Sequence, residues 1–330
     1  VVSTPHTVEL MPAEGSGCRN YQGPAWYRKH FVLPAETKGQ RVVLHFEAAM
    51  GKQILYLNGK RIQEHLGGYL PFTLDLTANG VQAGDSCLLA VFTDNSDDKS
   101  YPPGKRQYTL DFAYHGGIYR DVWMIAKSPV AITDAIDSQT VGGGGVFVHF
   151  DKISEKSAQV YVNTEVQNDD ARSESVTVET TLTDADGKVI KRSSGKLSLK
   201  PGEKKSIRQQ MEVKNPTLWS PDTPYLYKVQ SRIKKGNKSI DGGITRVGIR
   251  LAEFRGKDGF WLNGKPFGQL VGANRHQDFA YVGNALPNSQ QWRDAKRLRD
   301  AGCTIIRVAH YPQDPAFMDA CDELGLFVIV

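Results

Sequence analysis

The segments Val271-Gly-Ala-Asn-Arg-His-Gln-Asp278, Ile305-Ile-Arg-Val-Ala-His-Tyr-Pro312 and Leu324-Gly-Leu-Phe-Val-Ile-Val330 decide how this chain is read. The first two are short apolar runs that end in a polar cluster. A helical pattern follows each of them, and the third segment opens another apolar run. This is βαβαβ rhythm, the opening of a parallel α/β fold. The polar residues Asn274, Arg275 and His276, and then Arg307 and His310, fall just past the strands, where α/β barrels build their active sites.

The helical signals are specific. Ser289 is placed to cap a helix carrying Trp292, Ala295 and Leu298, with Gly302 as its stop. Asp314 before Pro315 reads as a second helix start. Phe317, Ala320 or Cys321, and Leu324 make its buried stripe, and Gly325 ends it. Leu326–Val330 is apolar throughout, as a strand covered on both faces should be.

Upstream the period is two. In Arg41–Ala48, Val42, Leu44, Phe46 and Ala48 alternate onto one face. Ile54–Leu57, Asn58-Gly59 and Lys60–Ile62 form a hairpin with the pair favoured in type I′ turns. Leu88–Phe92 and Ile118–Ile125 add strands, so residues 1–127 read as an all-β sandwich or jelly roll. Ser128-Pro129 opens a second β region, 128–250, with alternation in Ala158–Val166 and Val176–Leu182 and turns at Asp184–Gly187 and Pro201-Gly202. That spacing fits a seven-strand immunoglobulin-like sandwich without its disulfide. The Gly142–Gly145 run lacks a strand-to-helix context and reads as a loop, not a phosphate cradle. Residues 251–330 are then the incomplete first third of a (β/α)8 barrel, since a whole barrel needs ~250 residues.

Composition bounds the function classes. At 330 residues the chain is long enough for two or three domains, and 40% hydrophobic residues support buried cores. No apolar run approaches the roughly 20 residues of a membrane span. The net charge of +5 is mild, and the pairs Lys204-Lys205 and Lys234-Lys235 sit in polar turns without interleaved aromatics. Neither a nucleic acid nor a membrane is expected as partner. The four cysteines, Cys18, Cys87, Cys303 and Cys321, have no metal-ligand spacing, and the last two read as small core residues. The tryptophans Trp26, Trp123, Trp219 and Trp261 read as core residues rather than sugar platforms.

Several motifs, taken in order, resemble glycoside hydrolase family 2, the β-galactosidases, β-glucuronidases and β-mannosidases. Trp26-Tyr-Arg-Lys-His-Phe31, Tyr56–Gly59, Gly67–Phe72 and Gly116-Gly-Ile-Tyr-Arg-Asp-Val-Trp123 look like that family's sugar-binding jelly roll. Pro216–Pro221 with Pro224–Tyr227 looks like the end of its immunoglobulin-like domain. Asn274-Arg-His276, Arg307–Pro312 and Cys321–Gly325 resemble the start of its TIM barrel. Asn274–Asp278 followed by Gly283–Pro287 is most similar to bacterial β-galactosidases. Gln277 stands where many members have Glu, and Ala309 where Ser or Thr is usual.

The resemblance implies a retaining exo-β-glycosidase acting on terminal β-D-galactosides, with β-glucuronidase or β-mannosidase as alternatives inside the family. It implies that His276 and His310 bond sugar hydroxyls and support an oxocarbenium-like transition state. Arg307 would orient a catalytic carboxylate, with Asn274 and Arg275 beside it in the substrate pocket. Asp97, in the Asn95–Asp98 loop, either reaches the pocket as a family aspartate does or is a solvated turn. No catalytic carboxylate is expected within the chain. A retaining pair sits about 5–5.5 Å apart, and Asp278 is the one barrel-loop candidate once Asp314 is assigned to a cap and helix carboxylates to the outer ring. By resemblance both glutamates lie beyond Val330, so the chain reads as an inactive N-terminal fragment, and its bare apolar strand Leu326–Val330 agrees with a truncation. A non-catalytic carbohydrate-binding or scaffold protein is the reading from a different class. No metal site or cofactor is evident. A divalent or sodium ion and a homo-oligomer stay open for a full-length parent, as do the bacterial periplasm and cytoplasm, because Val1–His6 does not read as a natural start.

Overall fold

The computed structural model describes residues 1–10 and 20–330, and Cys18 lies outside them. Seven strands build the first sandwich: β1 (Pro24–Val32), β2 (Arg41–Phe46), β3 (Lys52–Leu57), β4 (Lys60–Leu66), β5 (Phe72–Asp75), β6 (Ser86–Asp94) and β7 (Val122–Lys127). They form two antiparallel sheets, in the orders β1-β6-β3-β4 and β5-β2-β7. The alternation read from Arg41–Ala48 is real: Val42, Leu44, Phe46 and Ala48 are buried, and all but Ala48 pack with Leu55, Leu74 and Val91 in one core. Asn58 and Gly59 both take positive φ, 51° and 82°, as a type I′ hairpin requires.

The second sandwich uses β8 (Val130–Ile132), β9 (Val146–Asp151), β10 (Ser157–Asn168), β11 (Glu174–Thr183), β12 (Val189–Leu199), β13 (Lys204–Lys214), β14 (Tyr227–Lys235) and β15 (Lys238–Val247). One sheet pairs β10 with β13, β8 and β9; the other runs β12-β11-β14-β15. Its interior holds Val160, Val162, Leu182 and Val229, each fully buried.

A small antiparallel sheet, β16 (Ala252–Phe254), β17 (Phe260–Leu262) and β18 (Lys265–Pro266), then leads into β19 (Gly272–Arg275), α1 (Asn288–Asp300), β20 (Ile305–Val308), α2 (Pro315–Leu324) and β21 (Phe327–Ile329). The last three strands are parallel, in the order β19-β20-β21. β19 lies so close to β20 that a Cβ on Gly272 would stand 1.7 Å from the Ile305 carbonyl oxygen, which only glycine tolerates. Ile306, Val308, Phe317, Ala320 and Cys321 form the core between sheet and helices. Phe327 faces the opposite way, against Trp219, Phe260 and Phe267.

Asp314 caps α2 by accepting from the Ala316 amide at 2.8 Å, with Pro315 in its first turn and Gly325 left-handed at its end, all as the sequence suggests. α1 corrects its expectation. It begins at Asn288 with Pro287 in the cap position, so Ser289 already lies within its first turn and caps nothing. Trp292 lies on α1 as expected, 40% exposed and donating to Glu323. Of the tryptophans read as core, Trp219 is buried, whereas Trp26 and Trp123 are half exposed. Both sit on outer sheet faces, which strand alternation alone does not separate from inner ones. Among the described residues no helix is long and apolar enough to cross a membrane.

Candidate active site

Strand parity sorts the polar residues of the barrel segment. Register pairs Asn274 with Arg307 and Arg307 with Ile329, while Arg275 pairs with Val308. Val308 is buried against the helices. Successive side chains alternate faces, so Arg275 shares that side and Asn274 and Arg307 share the other. Asn274 and Arg307 are exposed, and the Arg307 side chain makes no hydrogen bond or ion pair with the described residues.

Arg275 therefore does not belong with the pocket residues, contrary to the expectation from sequence. Its guanidinium bonds Gln313 Oε1 at 2.6 Å, Gln291 Oε1 at 2.9 Å and Asp294 Oδ2 at 2.7 Å, and lies 4.0 Å from the centre of the Phe317 ring. It is a buried brace between β19, α1 and α2. Polar neighbours in sequence are split by one residue of register.

The two histidines do converge. Just past β19 and β20, the His276 and His310 rings lie 5.5 Å apart at 78°. Burial holds the His276 imidazole below its ordinary pKa, with His310 and Arg307 acting in the same direction and Asp278 and Asp111 against it. His276 is thus neutral near pH 7. Its Nδ1 is buried without a hydrogen-bond partner, and a buried polar atom left in that condition needs a partner from elsewhere. Asp278 is exposed in the loop after β19, within electrostatic reach of His276.

The third contribution comes from the first sandwich. Phe112 stacks on His276 at 5.6 Å and 22°, and its ring also stands 5.6 Å from His310 and 5.5 Å from Tyr311. Beside it, Asp111 Oδ1 lies 3.9 Å from His310 Nε2, with the Asp111 side chain 84% exposed. Sequence reading missed both residues. The signal was present, since Asp111-Phe-Ala-Tyr114 runs straight into the Gly116-Gly-Ile-Tyr-Arg120 motif, but nothing local says that this loop reaches another domain.

Asp97 is not at the mouth. Its Oδ1 accepts from the Tyr114 hydroxyl, from Gln22 Nε2 at 2.9 Å and from the Gln107 amide at 2.9 Å. Burial alone would raise its pKa, but these donors outweigh burial and hold the carboxyl below its ordinary range. Asp97 thereby ties down the loop that delivers Asp111 and Phe112. It is not a free solvated turn, and none of its hydrogen bonds reaches the histidines.

Chemically, the mouth offers imidazoles, a free guanidinium and two carboxylates to hydroxyl-rich ligands. Among the described residues the carboxyl groups pushed upward by burial are Glu47, Asp314 and Asp322. Asp314 is spent as the α2 cap, Asp322 lies on α2, and Glu47 accepts from the Trp123 indole. Among the described residues no group of three or more histidine, cysteine or acidic side chains is arranged for a metal ion.

Comparison with known proteins covers nearly the whole chain. Residues 6–129 match the profile of glycosyl hydrolases family 2, sugar binding domain; 144–250 match glycosyl hydrolases family 2; and 254–330 match that family's TIM barrel domain. A β-galactosidase of Thermoanaerobacter pseudethanolicus is 35% identical over 329 residues, covering 99% of this chain and 42% of the relative. A β-glucuronidase of Formosa agariphila is 33% identical, covering 100% of this chain and 35% of the relative. The solved structure of Bacteroides uniformis β-glucuronidase 2, covalently bound to cyclophellitol-6-carboxylate aziridine, superposes with a TM-score of 0.88 at 31% identity, over 99% of this chain and 38% of that one. The chain thus spans less than half the length of these relatives. Two β-sandwiches followed by the opening strands of a barrel, matched in order by three profiles of one family, show that the chain belongs to glycosyl hydrolases family 2.

Proposed function

We propose that the whole protein is a retaining exo-β-glycosidase that hydrolyses terminal β-D-galactosides, and that residues 1–330 supply the sugar-binding half of its pocket. The observation that carries this reading is the convergence of His276, His310, Phe112 and Asp111 at one mouth, from two domains. An aromatic face beside imidazole and carboxylate groups suits a pyranose ring, with its apolar C–H face and hydroxyl rim. Arg307, unpaired on the same side as Asn274, suits a partner carboxylate, as a nucleophile that must stay ionised requires. By family resemblance the two catalytic glutamates come from later barrel strands, and no step of bond cleavage is assigned to the residues described.

The neutral His276 and the carboxylates Asp111 and Asp278 leave the mouth poor in positive charge apart from Arg307, which favours a neutral glycone over a uronate. The β-glucuronidase relatives favour the second reading, in which Arg307 pairs with the sugar carboxylate instead. Steady-state kinetics of the whole protein on 4-nitrophenyl β-D-galactoside and β-D-glucuronide separate the two. We expect kcat/KM at least a hundredfold higher on the galactoside, with the β-anomer of galactose formed first. The opposite preference replaces the galactoside reading with the glucuronide one.

A further inference from the structure

Arg120 belongs to the first sandwich, yet most of what its guanidinium touches belongs to the barrel segment. Its side chain is only 3% exposed. Nη2 forks between Pro312 O at 2.8 Å and Gln277 Oε1 at 3.0 Å, Nη1 donates to Tyr69 O at 3.3 Å, and Nε lies 3.9 Å from Asp314 Oδ2. Gln277 directly follows His276, and Pro312 lies two residues after His310. One planar group therefore bonds both loops that carry the pocket histidines.

The surroundings make this fork rigid. Tyr69, from the same sandwich as Arg120, stacks on Tyr311 at 4.3 Å and 4°, and the Tyr311 hydroxyl receives the Gln277 amide at 3.5 Å. The Arg120 charge is opposed by Asp314 at 3.9 Å and by Glu47 from beyond ion-pair distance, and its Nε has no hydrogen-bond partner. A buried guanidinium so thinly compensated is a poor way to glue two domains, since apolar packing of equal volume does as well or better. Its directional donors are what an apolar side chain cannot replace.

We propose that Arg120 is a positioning residue for the pocket, fixing the spacing of His276 and His310 from the neighbouring sandwich. This inference rests on the reading of that mouth as the sugar site, but not on which sugar fills it. The sandwich is then part of the machinery of the barrel and not an appended binding module.

The test uses the whole protein with Arg120→Met and Arg120→Lys. Lysine keeps the charge but has no planar fork. As a control for lost stability, Leu199→Ala opens a cavity in the core of the second sandwich, far from the mouth. We expect Arg120→Met to lower kcat/KM tenfold to a hundredfold, mostly through kcat, and Arg120→Lys to recover only part of it. Leu199→Ala, at comparable loss of Tm, should stay within twofold of wild type. A second readout needs no substrate: carbethoxylation of His276, followed by peptide mass spectrometry, should accelerate severalfold in both Arg120 variants. If the methionine variant fails to fold, the lysine variant carries the test alone. Wild-type kinetics and an unchanged His276 modification rate in the lysine variant overturn the proposal, as does an activity loss in Leu199→Ala equal to that of the Arg120 variants. Should the wild type prefer glucuronides, the same ratios measured on that substrate judge Arg120, while the galactoside reading falls.

Discussion

The Phe112 ring lies stacked 5.6 Å from the His276 ring, although the two residues are separated by more than half of the described chain and come from different domains. A sugar seated at this mouth touches groups that only the docking of sandwich on barrel brings together. Phe112→Ala is expected to raise KM threefold to tenfold with a smaller change in kcat, because an aromatic face contributes about 0.5–1.5 kcal/mol to a contact of this kind. Asp111→Asn should lower kcat/KM tenfold or more. Michaelis–Menten analysis of the whole protein checks both, and unchanged KM in Phe112→Ala removes the ring from the pocket.

His276→Ala and His310→Ala are each expected to lower kcat/KM at least tenfold, about 1.4 kcal/mol. On the galactoside reading Arg307→Ala should act differently, lowering kcat more than it raises KM, because there its proposed partner is a carboxylate of the enzyme and not the sugar. Removing a cation raises the pKa of a nearby carboxylate, so the acidic limb of the Arg307→Ala pH profile should move upward. Residues 1–330 alone should show no turnover of aryl β-galactosides above background. If the histidine variants keep wild-type kinetics and lose only Tm, those rings are structural.

What the sequence disclosed and what it hid divide along physical lines. Period-two alternation placed Val42, Leu44 and Phe46 correctly, and Asn58-Gly59 and Asp314-Pro315 announced their turn and helix start, because these signals are local. Strand-end placement likewise found His276, His310, Asn274 and Arg307 on or just past the parallel strands. It could not separate Asn274 from Arg275. Both faces of a parallel strand are covered, so no alternation of apolar and polar residues marks the parity. Asp111 and Phe112 were hidden for another reason: their role depends on a contact across domains that leaves no periodic trace in either segment. Asp97 rests on family resemblance alone, and its donors are all within its own sandwich.

Gln277 offers a test of the buried interface. Its Oε1 receives Arg120, but its Nε2 is buried with no partner, a condition that costs about 1–3 kcal/mol. Gln277→Glu removes the orphan donor and sets a carboxylate against a guanidinium opposed so far by Asp314 at 3.9 Å and, from farther off, by Glu47. We expect Tm to rise by roughly 2–4 °C at pH 7, with the gain shrinking in Arg120→Met and vanishing as acid protonates the new carboxyl. A fall in Tm at neutral pH shows that desolvating the new charge outweighs its pairing.

Glu165, in the second sandwich, gives the clearest dependence on pH. It is 7% exposed and accepts from Thr133 Oγ1 at 2.9 Å, Thr140 Oγ1 at 3.1 Å and the Ser138 hydroxyl, so that it gathers the segment from Thr133 to Thr140 onto β10. Burial by itself would raise its pKa, but the three hydroxyl donors and nearby Lys204 outweigh burial and hold the carboxyl below its ordinary value. A carboxyl depressed in the folded state stabilises the protein fully above its unfolded pKa, about 4.3, and that contribution is lost as pH falls through the folded value. Glu165→Gln should therefore cost roughly 1.5–3 kcal/mol at pH 7, the range for hydrogen bonds to a charged group. The difference from wild type should narrow steadily below about pH 4.3. Urea unfolding followed at pH 7, 5 and 3 measures it. A gap between the two proteins that stays constant across this range means that the Glu165 carboxylate, as a charge, contributes nothing, and that the segment is held by packing alone.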